Sequence, residues 1–145
     1  MKVLYILIFH TLFTGGLWQT NFIDARKTAA EKHELILLNF SGSDWCTPCM
    51  RMSREIFENT TFTDYAASNL VLVNADFPML RKNRLDKKLQ QQNDALAEKY
   101  NAKGKFPLTL ILDSDGKVLK YWEGLLHIPA REFVNEIKAL CDINK

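Results

Sequence analysis

Hydrophobic positions recur along this chain in two rhythms, and the switches between them divide it into helices and strands. Between Asn21 and His33, the residues Phe22, Ile23, Ala25, Ala29 and Ala30 recur among charges, which predicts an amphipathic helix. Leu35 to Phe40 is an almost unbroken apolar run, the pattern of a strand buried on both faces. Thr47 to Phe57 returns to helical spacing, with Cys49, Met52 and Ile56 on one face, and Phe62 to Ser68 predicts a short helical turn. A second buried strand runs from Leu70 to Asp76. A loop from Phe77 to Arg84 then leads into a long helix, Leu85 to Tyr100, with Leu85, Leu89, Leu96 and Tyr100 along one stripe. Leu108 to Asp113 and Lys117 to Trp122 flank Ser114-Asp115-Gly116, a turn sequence that predicts a hairpin. The last helix, Ala130 to Cys141, buries Phe133, Val134, Ile137, Leu140 and Cys141.

This order, α-β-α-β-α-β-β-α, predicts an α/β fold. Right-handed crossovers make the strands separated by helices parallel, and the closing hairpin is antiparallel. One mixed β-sheet with helices on both faces accommodates both. In such sheets, sites form beyond the C-terminal ends of the parallel strands, and Cys46 falls at that edge.

The segment ahead of the first helix differs in character. Met1-Lys2 precedes the apolar run Val3 to Phe9, and His10 to Gly16 ends in small residues, the order of a secretory signal. The run is well short of the ~20 apolar residues that span a bilayer. We expect residues 1–16 to be a signal peptide and 17–145 the functional domain; a retained short membrane anchor is the alternative. No cysteine directly follows the run, which argues against a lipoprotein anchor. An exported protein works where disulfides form and persist.

At 145 residues the chain suits one domain with one substantial core. A net charge of only +2 gives no global signal for nucleic-acid binding, and that class is set aside. Three cysteines are too few to staple a mini-fold, which a chain of this length does not need.

The chemistry concentrates in Cys46-Thr47-Pro48-Cys49, between a predicted strand and a predicted helix. A bridge closing so short a loop contributes little stability, so the spacing suits reversible chemistry better than stapling. At a helix start, unpaired N–H groups and the positive end of the helix dipole stabilise a thiolate. Zinc is the chemical rival, but it wants a full set of ligands, and His33, His127 and Cys141 are scattered far from the pair. Cys141 lies on the apolar face of the last helix and reads as an inert core thiol.

With Asp44-Trp45-Cys46-Thr47-Pro48-Cys49, the later Phe106-Pro107 and Gly124 after the last strand, the chain resembles the thioredoxin family over nearly all its length after the signal. It is similar in particular to exported bacterial members that read Phe-Ser-Gly-Ser-Asp-Trp-Cys before the second cysteine. The resemblance implies a thioredoxin fold, a cis bond before Pro107, and a Phe106-Pro107 loop facing the dithiol as the substrate edge. It also implies periplasmic protein disulfides as substrates, a membrane-embedded thiol reductase as electron donor, and action as a reductant. No cofactor is implied, and the chain is expected to act as a monomer.

Within that frame Cys46, the more exposed cysteine, is the nucleophile, and Cys49, a turn further in, resolves the mixed disulfide. Pro48 sets φ where a missing N–H is tolerated. Thr47 helps tune the redox poise, and Thr-Pro does not by itself identify an oxidant or a reductant. Trp45 shields the sulfurs or is simply a core aromatic. Arg51 and Arg54 add positive field or are solvated. One departure stands out: where the family commonly carries a buried aspartate, this chain has Asn39, so proton transfer at Cys49 is left to water or to a group such as Asp44. Arg81, Lys82, Arg84, Lys87 and Lys88 form a basic cluster, either a solvated face or a docking patch. A module of the same fold that holds a client without turning it over is the alternative from another class.

Overall fold

The sheet of this protein is assembled around one strand, Leu35–Ser41, buried along its whole length. The computed structural model describes residues 16–144. The proposed signal therefore lies, except for Gly16, outside the described residues. Strand β1 (Trp18–Gln19) is followed by α1 (Phe22–Lys32), β2 (Leu35–Ser41), α2 (Thr47–Met52), α3 (Thr60–Asn69) and β3 (Leu70–Asp76). Then come α4 (Lys87–Tyr100), the hairpin β4 (Leu108–Leu112) and β5 (Val118–Glu123), and α5 (Ala130–Ile143). The strand order is β1-β3-β2-β4-β5. β1, β3 and β2 run parallel, while β4 is antiparallel to β2 and β5 antiparallel to β4.

β2 lies between β3 and β4, with Leu37 opposite Leu72 on one side and Ile111 on the other. Side chains alternate along a strand, so β2 supplies both layers of the core. Leu35 and Leu37 pack with Met52, Ile56, Phe57, Phe62, Phe133 and Ile137, beneath α2, α3 and α5. Ile36, Leu38 and Phe40 pack with Phe22, Ala25, Ala29 and Leu96, beneath α1 and α4. Helices thus cover both faces of one mixed sheet.

The elements differ from the sequence reading in instructive places. β1 was not anticipated, because a strand of two residues cannot express a period of two. α3 begins two residues earlier than expected, where the Asn59 side chain accepts the N–H of Thr61. α4 begins two residues later, where the Asp86 carboxylate accepts the N–H of Leu89. Its inner stripe includes Asn93, 1% exposed, whose amide donates to the Asp76 carbonyl. α2 runs on as a wider π-helical turn, Ser53–Phe57, closed by Glu58 N–H to the Ser53 carbonyl at 2.8 Å. This turns both Ile56 and Phe57 into the core.

Candidate active site

β2 ends at Ser41, and the chain reverses through residues 42–45 before α2 begins. Cys46 N–H donates to the Gly42 carbonyl at 2.9 Å, which closes that reversal. Cys46 then occupies the N-cap of α2, with extended backbone, and its Sγ accepts the N–H of Cys49 at 3.3 Å. Thr47 and Pro48 fill the first helical positions, both exposed, where the missing proline N–H costs no hydrogen bond. Cys46 and Cys49 are joined by a disulfide, with their Cα atoms 5.2 Å apart. Cys46 is 4% and Cys49 6% exposed, so Cys46 is not the more exposed of the two in this oxidised form. The bridge and the N-cap bond draw its sulfur into the first turn of the helix.

Trp45 is no core aromatic: it is 40% exposed and joins three segments at the surface. Its Nε1 donates to the Phe77 carbonyl at 2.7 Å, and its ring meets Phe106 edge-on at 5.3 Å. Phe106 also meets Phe77 edge-on at 5.5 Å. The Phe106–Pro107 peptide bond is cis, and the Pro107 carbonyl accepts the N–H of Gly124 at 2.8 Å. Because β4 is antiparallel to β2, with Leu108 opposite Phe40, Pro107 lies at the sheet edge that leads to Cys46. Gly124 takes φ of 77°, a left-handed backbone that glycine adopts without strain.

The Asp44 carboxylate is bonded to the loop after β3. One carboxylate oxygen accepts Met79 N–H at 2.9 Å, and the other accepts Leu80 N–H and the Asn83 amide, each at 3.0 Å. The bond from Met79, then those from Asn83 and Leu80, hold its carboxyl below the usual aspartate range, against a smaller opposing effect of desolvation. A carboxylate so stabilised is a poor base. It anchors the loop after β3.

Beneath the dithiol lies an amide network centred on Asn39. Asn39, 5% exposed, donates through Nδ2 to Asn74 at 3.1 Å and accepts the Thr109 hydroxyl at 3.0 Å. Ser41 donates toward Asn74 and Asp76, and Asp76 also accepts the N–H and hydroxyl of Ser43. A cavity of about 630 Å³ reaches Cys49 from this side, bounded by Asn39, Asn74, Trp18, Phe57, Arg54 and Glu58 among others. Arg54 therefore faces the cavity. Arg51 is paired with Glu55 at 3.0 Å and contributes little free charge.

Several of these residues escaped the sequence reading. Trp18 arrives through the unanticipated β1 and packs edge-on against Phe57 at 5.0 Å. Asn74 and Thr109 sit in otherwise apolar strands opposite Asn39; three polar residues in three core strands were the available signal. Among the described residues, no group of three or more His, Cys, Asp or Glu is placed to hold a metal ion. Cys141 is a free thiol on the buried face of α5.

Comparison with known proteins agrees with this geometry. Residues 22–140 match the family described as a thioredoxin-like domain. Over 102 residues the chain is 33% identical to the disulfide bond reductase DsbH of Chlamydia pneumoniae, a stretch covering 70% of this chain and 59% of that protein. The thioredoxin-related protein DsbJ of the same organism is 28% identical over 68% of this chain and 27% of its own length. The matches thus span less than two thirds of either relative. A solved structure of a DsbH oxidoreductase superposes with a TM-score of 0.77 at 29% identity, covering 87% of this chain and 84% of that one. The chain belongs to the thioredoxin-like family and carries that family's fold.

Proposed function

We propose that this chain is a thiol:disulfide oxidoreductase that reduces protein disulfides outside the cytoplasm through Cys46 and Cys49. The observation that carries the reading is the bonded Cys46–Cys49 pair at the start of α2, on the edge where the sheet also delivers Pro107. In the reduced protein the Cys46 thiolate, stabilised by the N–H of Cys49, attacks a substrate disulfide. One substrate sulfur leaves as thiolate and the other remains bound to Cys46. The Cys49 thiolate then attacks Cys46 Sγ, expelling the second substrate sulfur and restoring the Cys46–Cys49 bridge. Two electrons pass to the substrate, and a partner dithiol returns them.

Asn39 cannot take the proton of Cys49. The cavity beside Cys49 is roomy and polar enough to admit water, which serves as the acceptor. Trp45, Phe106 and Pro107 form the edge against which a substrate lies, and Thr47 adjusts the poise. The reductant direction is favoured by the likeness to a protein named disulfide bond reductase. A membrane-embedded thiol reductase is the proposed donor. Export is proposed from the N-terminal sequence. β1 starts at Trp18, so cleavage after Gly16 removes no described element. Among the described residues no helix is long and apolar enough to cross a membrane.

The test is single-turnover reduction of a disulfide peptide by the reduced chain. Cys49→Ser is expected to accumulate a mixed disulfide through Cys46, and Cys46→Ser to accumulate none. A wild-type chain that leaves the peptide oxidised refutes the reading. Equilibration with glutathione then tests direction: a potential more oxidising than the glutathione couple would reverse it.

A further inference from the structure

We propose that the loop of residues 77–84, with the first turn of α4, is a docking surface for acidic polypeptide segments flanking the disulfide to be reduced. The proposal rests on the oxidoreductase reading and names the class of substrate it favours. The loop is distant in sequence from the dithiol but is tied to it. Asp44 binds Met79, Leu80 and Asn83, and Trp45 binds the Phe77 carbonyl. Asp44 and Trp45 immediately precede Cys46, so the loop is held against the chemistry.

The surface it presents is apolar and cationic. Met79 is 73% and Leu80 48% exposed, beside the half-exposed Trp45. Arg81, Lys82, Arg84, Lys87 and Lys88 are all exposed. Among the described residues none of them makes an ion pair. The nearby carboxylates are already engaged, Asp44 by the loop amides and Asp86 by the N–H of Leu89. Residues 79–88 hold five cations and one carboxylate, a net charge of +4 in a chain whose total is +2, so the remainder is net negative.

A solvated helix face does not account for this placement. Lys87 and Lys88 stand in the first turn of a fourteen-residue helix with no acidic residue in that turn. The positive end of the helix dipole opposes cations there. The clustered cations also repel one another, and the single N-cap carboxylate of Asp86 offsets only part of both effects, which an incoming negative charge relieves further. Positive potential focused beside a reactive centre steers acidic partners to it and is weakened by salt. An anionic membrane is the less suitable occupant, because the cations and the dithiol share one edge, and a bilayer lying on it would shut out substrate.

The experiment uses the reduced full chain and two disulfide peptides, identical except for Asp/Glu or Lys/Arg beside the cysteines. At low ionic strength the acidic peptide is expected to react about tenfold faster or more, with the gap closing in molar salt. Replacing Arg81, Lys82 and Arg84 with Glu is expected to invert the preference. Asn83 is retained in this variant, so the Asp44 anchor persists, and an unchanged thermal midpoint checks the fold. Equal rates on both peptides overturn the proposal. So does equal reactivity combined with salt-sensitive binding to phosphatidylglycerol vesicles, which would assign the patch to membrane. If neither peptide is reduced, the oxidoreductase reading fails. Docking is then read separately, by anisotropy of a labelled acidic peptide carrying Ser for Cys: tighter binding than its basic counterpart supports the patch, and equal binding removes it.

Discussion

The indole of Trp45 occupies the space that a side chain at Gly42 would need: a Cβ built there overlaps the Nε1 and Cε2 atoms of the ring. Glycine at 42 thus lets the chain turn out of β2 while Trp45 folds back over it to reach Phe77 and Phe106. Gly42→Ala is expected to push the indole out, break the Trp45–Phe77 bond, and cost about 1–3 kcal/mol, as overpacking does. Denaturant unfolding and Trp fluorescence measure the two effects, and the rate of peptide reduction is expected to fall with them.

Asn39→Asp places a carboxyl beneath Cys49 at the cost of burying it. Desolvation raises the folded-state pKa of such a group above its unfolded value near 3.9. The penalty is therefore absent in strong acid and grows as pH rises through the interval between the two values. At neutral pH a loss of about 1–3 kcal/mol is expected. The rate of mixed-disulfide resolution should gain an inflection as the new carboxyl ionises. A stopped-flow pH profile indistinguishable from wild type would show that position 39 has no access to the proton.

Asp44→Ala removes the acceptor for Met79, Leu80 and Asn83 together. Faster hydrogen exchange at the Met79 and Leu80 amides is expected, with earlier proteolysis within residues 79–84. Because the Asp44 carboxyl is held below its ordinary range, chiefly by Met79 N–H, the anchor is complete above the unfolded aspartate pKa. It is lost as pH falls through the lower folded value. Exchange measured against pH should show the loop loosening only in acid.

Glu136 ties α5 to β5, accepting from Lys120 Nζ at 2.7 Å and Trp122 Nε1 at 3.1 Å. The bond from Lys120, then that from Trp122, hold its carboxyl below the ordinary glutamate range against desolvation. Its stabilisation is present above the unfolded pKa and disappears as pH falls through the folded value. Since both side chains are partly exposed, Glu136→Gln is expected to cost less than about 1 kcal/mol at pH 7. The variant should also lose the corresponding share of acid sensitivity in denaturant midpoints followed by Trp122 emission.

Much of the fold was legible because its signals are local. Leu35 to Phe40 and Leu70 to Asp76 are apolar enough to be buried on both faces wherever they lie, and Ser114-Asp115-Gly116 closes a hairpin whatever surrounds it. Gly116 takes φ of 86° there. The misses have equally definite causes. Helix starts at Thr60 and Lys87 followed the capping side chains of Asn59 and Asp86, which lie outside the apolar pattern used to place them. The Cys46-Thr47-Pro48-Cys49 motif could be located from sequence, but the near-equal burial of its cysteines could not, since burial depends on the segments packed around them.

By itself the sequence determined the order of the elements from α1 onward, the strand-to-helix position of the dithiol, and an uncharged Asn39 in the strand before it, all properties of contiguous or short-range residues. Tertiary structure alone decided what surrounds those residues. It brought Asn74 and Thr109 to Asn39 across sheet registers, and Trp18 to Phe57 through a two-residue strand. It also set the Asp44 carboxylate against the amides of a cationic loop. Each of these contacts joins segments about 35 residues or more apart. No local rhythm encodes them; they form when burial of the two apolar layers sets the strand registers and so decides which polar groups meet.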